Sequence, residues 1–431
     1  MKNTSFFFKE IVRLQKEGIP RGICSICSAN SFVIEAALEQ SLNDDRPVLI
    51  ESTCNQVNQF GGYTAMTPQD FVKYVYDIAI SINFPLERII FGGDHLGPHP
   101  WKGEHSRAAM KKACELVKQY VSAGFTKIHV DASMHLADDP GDRTLPLDPA
   151  LVAERDANIC SVAEESSGED LVYVIGAEVP TPGGTLNVLE SPLITEVSDF
   201  KETIELSQEA FIKKGLSDAW KQVIAVVVQL GAEFGSHTIH EFQPEKTRKL
   251  CNALKEFPNF VFEAHSTDYQ METCLKQMVE NGIAILKVGP CLTFTMREAI
   301  FLLCYIEKEL LKTHLGFQKS NLIEALDDAM RKNPVHWEKY YHGSDEDLQF
   351  ARKFSFSDRS RYYWSDPNVQ QALRRLFSNL EVLGIPLTLI SQFFPKQYSK
   401  IRNGSLKNTP KSLIKDKVND ILKVYSYAVT P

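Results

Sequence analysis

No apolar run in this 431-residue chain reaches the ~18 residues that a membrane-spanning helix requires, so no membrane span is expected. The opening Met1-Lys2-Asn3-Thr4-Ser5-Phe6-Phe7-Phe8-Lys9-Glu10 has too short an apolar stretch for a signal peptide, and charge follows at once. Nine cysteines is an odd count, scattered through apolar contexts, which suits a reduced, cytoplasmic protein better than a disulfide scaffold. Cys24-Ser25-Ile26-Cys27 has the spacing of a redox or zinc pair. No second pair completes a zinc site, however, and on a strand an odd separation points the two thiols to opposite faces. There is no basic block, and 55 acidic against 47 basic side chains leave a net charge of -8, so no nucleic-acid partner is expected. Three nucleotide and hydrolase signatures are also missing. They are the G-x-x-x-x-G-K-[ST] phosphate loop, a G-x-G-x-x-G between strand and helix, and the G-x-S-x-G elbow. With 43% hydrophobic and 24% charged residues, what remains is an ordinary globular chain, large enough for a core without staples.

One pattern dominates the chain. Short runs rich in Val, Ile, Leu and Phe alternate with helical stretches. The candidate strands are Gly22–Ser28, Val48–Thr53, Ile89–His95, Lys127–Ser133, Leu171–Pro180, Val223–Gly231, Phe260–Ser266 and Ile285–Pro290. Their near-continuous apolarity suits parallel strands covered on both faces. Between them, Thr67 and Pro68 form a helix start, and Met110–Val121 carries apolar residues at helical spacing. Ile204–Lys214 ends at Gly215, Thr247–Glu256 ends near Pro258, and Arg297–Leu311 is strongly amphipathic. Eight strand–helix units in series predict an α/β fold, a (β/α)8 TIM barrel, with a doubly wound open sheet as the alternative. The barrel is expected over residues 1–315. Residues 316–431 read as a helical C-terminal extension packed on it. Two long βα connections, Leu136–Pro149 and Pro180–Val197, follow strand C-termini, where barrel active sites are built.

The strand ends are where the polarity lies. They carry Glu51, Asp94-His95, His129-Val130-Asp131-Ala132-Ser133, Glu178, Gln229, Glu263-Ala264-His265-Ser266 and Lys287-Val288-Gly289-Pro290. His129, Asp131 and Ser133 share one face of their strand, and Glu263 and His265 share one face of theirs. Buried charges are costly unless paired or bound to a metal. The ring of polar ends therefore implies either a structural charge network or a metal and sugar pocket.

Asp94-His95 follows two glycines, which let a ligand approach the backbone. In such a pair the imidazole can bind a divalent metal while the carboxylate handles a proton. The bland alternative is a helix N-cap beside an incidental His. His265 is a second candidate ligand and Glu178 a third, although Glu178 could equally pair with Lys287. Imidazole and carboxylate together suit Zn2+ or another first-row divalent ion. His240 could complete such a site; His99, His105 and His135 are expected at the surface. Lys287 could form a Schiff base, stabilise an oxyanion or simply neutralise a carboxylate. A phosphate site is plausible at Gly289 and the following helix start, with Arg359 and Arg361 adding contacts from the extension. The alternative for those arginines is a surface Arg-aromatic cluster. Gly61-Gly62-Tyr63-Thr64 resembles a mobile lid.

Several of these segments, read together, resemble one family. They are Gly22–Ala29, Asn55–Thr64, Gly92-Gly93-Asp94-His95-Leu96-Gly97-Pro98, Glu263–Gln270, Leu286–Pro290, the Arg359/Arg361 segment, and Ser391-Gln392 with Pro395-Lys396-Gln397. The resemblance is to the accessory (Z-type) subunit of class II D-tagatose-1,6-bisphosphate aldolase, and it covers almost the whole chain. It implies a class II aldolase-type barrel, a sugar-phosphate ligand, and a divalent cofactor (Zn, Mn, Co, Ni or Mg). For founding members it implies a helper role beside a separate aldolase catalytic subunit; other members act alone as metal-dependent 4-epimerases on fructose 6-phosphate and tagatose 6-phosphate. A homo-oligomer is compatible with either.

Carbon 4 of a 2-ketose is not adjacent to the carbonyl, so enolisation alone cannot invert it, whereas retro-aldol cleavage and recombination can. A 4-epimerase is therefore the leading expectation, and the aldolase-stabilising subunit is the alternative. On the epimerase expectation, Asp94, Glu178, Lys287 and Asp131 are the catalytic candidates, and His95, His265 and Glu178 the metal ligands. Glu51, Gln229, Ser266, Asp268, Gly289, Arg359 and Arg361 would contact substrate.

Overall fold

The computed structural model describes residues 4–167, 171–177, 192–314 and 316–431. Eight parallel strands close on themselves. They are β1 (Ile23–Ile26), β2 (Val48–Thr53), β3 (Ile89–Leu96), β4 (Lys127–Val130), β5 (Val172–Ile175), β6 (Val223–Val227), β7 (Val261–Ala264) and β8 (Ile283–Val288). Each pairs with the next, and β8 returns to β1 through Ile23–Ile285 and Ile26–Val288. This is the (β/α)8 TIM barrel, and the open sheet is excluded by the β8–β1 pairing. Every strand has helices outside and side chains inside, which is why the strands are apolar on both faces. Most strands stop short of the ranges read from sequence. β4, for example, ends at Val130 and leaves Asp131, Ala132 and Ser133 to the mouth.

The barrel interior is divided by polarity. Its floor is closed by a helix that the apolar alternation did not reveal, Thr4–Lys16, which seats Phe8, Ile11 and Val12 against Leu49, Ile90, Val174 and Val227. Above that apolar plug the interior turns charged. Between β2 and β3 the helix Pro68–Ser81 begins as read, with Thr67 as N-cap. The Thr67 hydroxyl accepts the Asp70 N–H at 3.3 Å, and the Asp70 carboxylate accepts the Thr67 N–H at 3.0 Å. Thr67→Ala is expected to cost about 1 kcal/mol of stability, read as a lower urea midpoint with an unchanged slope.

The extension is fastened to the barrel. Its last helix, Pro410–Ala428, packs against helices Ser31–Asp44, Glu272–Glu280 and Pro290–Leu310. Lys415 bridges Glu35 and Glu39 at 2.7 and 2.5 Å, and the Tyr425 hydroxyl donates to the Thr267 carbonyl at 2.7 Å. Gly22 donates its N–H to the Val429 carbonyl at 3.1 Å; a Cβ at Gly22 would lie 2.5 Å from the Ala284 carbonyl oxygen. Another part of the extension, Arg359–Tyr362, reaches the barrel mouth. No helix among the described residues is long and apolar enough to cross a membrane.

Candidate active site at the barrel mouth

The charged layer begins with a closed ring of four side chains from four strands. Lys127 of β4 meets Glu51 of β2 at 2.6 Å and Glu263 of β7 at 2.5 Å. Lys287 of β8 meets the same two carboxylates at 2.9 and 3.1 Å. Lys127, Glu51 and Glu263 are fully buried. Ammonium and carboxylate therefore alternate around the ring, so that each charge has two opposite neighbours, the condition under which buried ions are tolerated. Lys287 also contacts Asp94 of β3.

Above the ring stand three imidazoles. His95 and His265 have ring centroids 4.7 Å apart, His95 and His129 4.8 Å, and His129 and His265 5.3 Å. Each ring has one nitrogen held by an acceptor. His95 Nδ1 lies 2.7 Å from Asp131, His129 Nε2 2.9 Å from the Gly176 carbonyl, and His265 Nε2 3.2 Å from Glu263. Holding one nitrogen fixes the tautomer and aims the other, which is how metal-binding imidazoles are oriented. One nitrogen from each ring and an Asp94 oxygen lie within 4.8 Å of one another.

The charge count tests whether this set suits a cation. His129 Nδ1 lies 2.8 Å from an Asp94 oxygen and 3.2 Å from the His95 backbone N–H; a protonated Nδ1 donates to Asp94, and a bare one is open to a cation shared with that carboxylate. The inner cluster also sets the carboxylates of Glu51, Asp94, Asp131 and Glu263 against the ammonium groups of Lys127 and Lys287. With the imidazoles neutral two negative charges are left over, and a divalent ion would balance them. The residues His95, His129 and His265, with Asp94, could hold such an ion.

The electrostatics agree with that layout at Asp94 and His265, while His95 is held toward the protonated form that a metal would displace. Burial pushes the Asp94 carboxyl up, but Lys287 and His95 outweigh it and hold the group well below the ordinary range. Burial and then Lys287 push His265 down to about 3, so its imidazole is neutral, the form a metal requires. For His95, burial acts downward, and the Asp94 and Asp131 carboxylates overcome it and raise the ring. The backbone is strained at this place: His95 and Ser266 have φ of 48° and 54°, a conformation that costs a non-glycine residue about 1–3 kcal/mol. At Gly97 a Cβ would lie 1.8 Å from the Asp131 carbonyl oxygen, so only glycine lets the two strand ends approach.

The cleft over these groups is lined by Asp94, His95, Asp131, His265, Ser266, Asp268, Lys287, Gly289 and Arg361 from among the residues expected there. Others require correction. Glu51 lies beneath the cleft, held by both lysines, and supports Lys287 rather than touching a ligand. Gln229 does not line the cleft; its backbone pairs with Thr195. Arg359 turns away into the extension, stacked on Tyr340 and donating to the His336 carbonyl at 2.9 Å, because residues 359 and 361 of the short turn point apart.

Gly289 and the helix start do not offer a free phosphate cradle. The helix begins at Pro290, well before Arg297, and the Asp268 carboxylate already accepts the Gly289 and Cys291 N–H groups at 3.0 and 2.8 Å. Asp268 is thus a helix cap at the pocket wall, and burial raises its pKa to about 6. His240 sits in a small hairpin and lies outside the imidazole cluster. Glu178 lies outside the described residues.

Sequence reasoning assigned no role to five residues here. His129, already read on the inward face with Asp131, takes the third place in the imidazole cluster, and Lys127 completes the ring below. Lys127 lies two residues earlier on the same inward line, so extending that parity toward the strand start would have found it. His99, expected at the surface, lines the cleft with its Nδ1 2.8 Å from the Asn55 amide. Tyr63 and Tyr362 meet edge to face at 4.6 Å and form a rim with Arg361.

A family model described as D-tagatose-1,6-bisphosphate aldolase subunit GatZ/KbaZ-like matches residues 8–430. The chain belongs to that family. A Salmonella paratyphi B protein named D-tagatose-1,6-bisphosphate aldolase subunit GatZ is 48% identical over 427 residues, covering 98% of this chain and 99% of its own. A GatZ protein of Salmonella typhimurium matches to the same extent. Among solved structures, a probable tagatose 6 phosphate kinase from Sinorhizobium meliloti superposes with a TM-score of 0.87 at 43% identity, covering 95% of this chain and all of that one. The fold of that protein is thus shared over 95% of this chain.

Proposed function

We propose that this chain is the subunit of a D-tagatose-1,6-bisphosphate aldolase that its relatives are named for, and that its barrel mouth is a metal-dependent ketose-phosphate site. The family match over residues 8–430 supports the first part. The second rests on the convergence of His95, His129, His265 and Asp94, which bring one ligand atom each to within 4.8 Å of one another.

His95, His129 and His265 would hold a divalent ion, with Asp94 beside them. When bound, such an ion supplies Lewis acidity at a ligand oxygen. Lys287, kept protonated by Glu51, Glu263 and Asp94, offers an ammonium to developing negative charge. Asp94, kept ionised, can accept a hydroxyl proton from a sugar lying over it. Arg361 donates to the Tyr362 hydroxyl at 2.8 Å and leaves a cationic edge at the rim for a phosphate.

A second reading is favoured by the same mouth. The chain alone would interconvert fructose 6-phosphate and tagatose 6-phosphate by C3–C4 cleavage and recombination. The rim of Tyr63, Tyr362 and Arg361 supports it, since an epimerase must retain both fragments. The two readings separate in one experiment. The purified chain is incubated with fructose 6-phosphate and Mn2+, Co2+, Zn2+ or Mg2+, then with an aldolase catalytic subunit and tagatose 1,6-bisphosphate. Tagatose 6-phosphate formed by the chain alone, and abolished by EDTA, supports the epimerase. Longer aldolase lifetime with no such product supports the subunit role alone. Neither effect would refute both.

A further inference from the structure

The cleft is lined by one lysine and one arginine, and their surroundings differ. Lys287 is held by Glu51, Asp94 and Glu263, whereas Arg361 forms no ion pair among the described residues. Neutral groups hold its guanidinium. Nη1 donates to the carbonyls of Ser357 and Asp358, the latter at 3.1 Å, and Nη2 donates to the Tyr362 hydroxyl at 2.8 Å. Among the described residues, Arg361 and Tyr362 are the only ones from the extension that line the cleft. They belong to the short turn Arg359–Tyr362, and the residue that opens this turn is Asp358.

Asp358 is 2% exposed, with φ of 39° and ψ of 56°. A non-glycine residue keeps that left-handed conformation only where its surroundings impose it. Here the barrel imposes it. Thr293 and Arg297 stand four residues apart on the helix Pro290–Leu310 and so share a face. The Thr293 hydroxyl donates to one Asp358 oxygen at 2.6 Å. Arg297 Nε donates to the other at 3.1 Å, as does the Ser360 hydroxyl at 2.8 Å. Arg297 is itself buried, its guanidinium carbon 4.3 and 5.3 Å from the ring centres of Phe294 and Phe301, and Asp358 is its only ion-pair partner among the described residues. A buried guanidinium without a partner is costly, so this pair pins the turn to the helix that follows β8.

We propose that Asp358, locked by Thr293 and Arg297, is the positioning residue that makes the barrel mouth selective for a phosphorylated ketose. It fixes the left-handed turn that brings Arg361 to the cleft, and its carbonyl holds the guanidinium that meets the ligand's phosphate. The inference rests on the ketose-phosphate reading of the mouth, and holds for the aldolase subunit and for the epimerase alike. The planar fork of a guanidinium matches a phosphate, and a fork fixed in advance loses little freedom on binding. Arg361 touches the ligand; Asp358 and Thr293 act through it. The extension thereby supplies the selectivity of a site whose remaining lining comes from the barrel.

The test measures, in the presence of Mn2+, the concentrations of fructose 6-phosphate and of fructose that half-saturate the rise in melting temperature of the chain. The wild type should bind the phosphorylated sugar roughly 100-fold more tightly. Asp358→Asn should weaken fructose 6-phosphate by roughly tenfold or more, and the milder Thr293→Val by about threefold, with fructose changed by less than about twofold in both. Arg361→Gln should remove most of the preference. Asp358→Asn added to Arg361→Gln should cost nothing further, because no guanidinium is left to position. The melting temperature without ligand reports folding, and Thr293→Val keeps the Arg297–Asp358 pair, so it carries the test if Asp358→Asn does not fold. A merely structural role would weaken both sugars alike, and that result overturns the proposal. Additive losses in the double variant overturn it too, as does wild-type selectivity in Asp358→Asn and Thr293→Val. A wild type with no preference for the phosphorylated sugar would instead refute the ketose-phosphate reading, and this proposal with it.

Discussion

Lys127→Met is expected to destabilise the barrel by about 3–5 kcal/mol, the scale for removing one partner from a buried ion pair. Lys127 is the shared partner of Glu51 and Glu263, at 2.6 and 2.5 Å, and no water-accessible surface is left to those carboxylates. Without it, two anions would share Lys287 alone. Urea unfolding should show the loss as a lower midpoint. The companion variant Lys127→Met with Glu263→Gln removes one charge of each sign, and should recover part of the loss, since neighbouring sites in one network are not additive. If the double variant lost the sum of the single losses, the ring would not be a coupled unit.

The second large effect concerns Asp94. Asp94→Asn keeps the shape but removes the ionised oxygen that faces His129 and Lys287. Turnover of the ketose phosphate should fall roughly 10²- to 10⁴-fold, the usual contribution of a positioned acid or base. The decline should appear in kcat rather than in KM, because the imidazoles and Arg361 that hold the ligand remain. An Asp94→Asn variant with wild-type kcat would remove Asp94 from the chemistry.

Much of this architecture was legible in the sequence. The eight apolar runs mark all eight strands because parallel strands are covered on both faces and cannot hide their composition. The polar strand ends mark the mouth, and parity places His129 with Asp131 and Glu263 with His265 on inward lines. What escaped depends on tertiary contacts. Nothing local to Asp268 says that its carboxylate will cap the helix beginning at Pro290, so the N–H groups there read as free. The choice of His129 beside His95 and His265 depends on the Gly176 carbonyl of the next strand, which fixes its tautomer. Arg359 and Arg361 differ only in which way a short turn points them. The helix Thr4–Lys16 lies before the first strand, where the strand–helix alternation gives no guide.

The metal content of the purified chain tests the barrel mouth most directly. The chain is stripped with chelator, dialysed against Zn2+, Mn2+ or Co2+, and the bound ion is counted per chain for the wild type and for His129→Ala. One ion per wild-type chain is expected, with binding weaker by more than roughly tenfold in the variant. A wild type that holds no more metal than His129→Ala, with any of the three ions, would contradict a metal-dependent site at the barrel mouth.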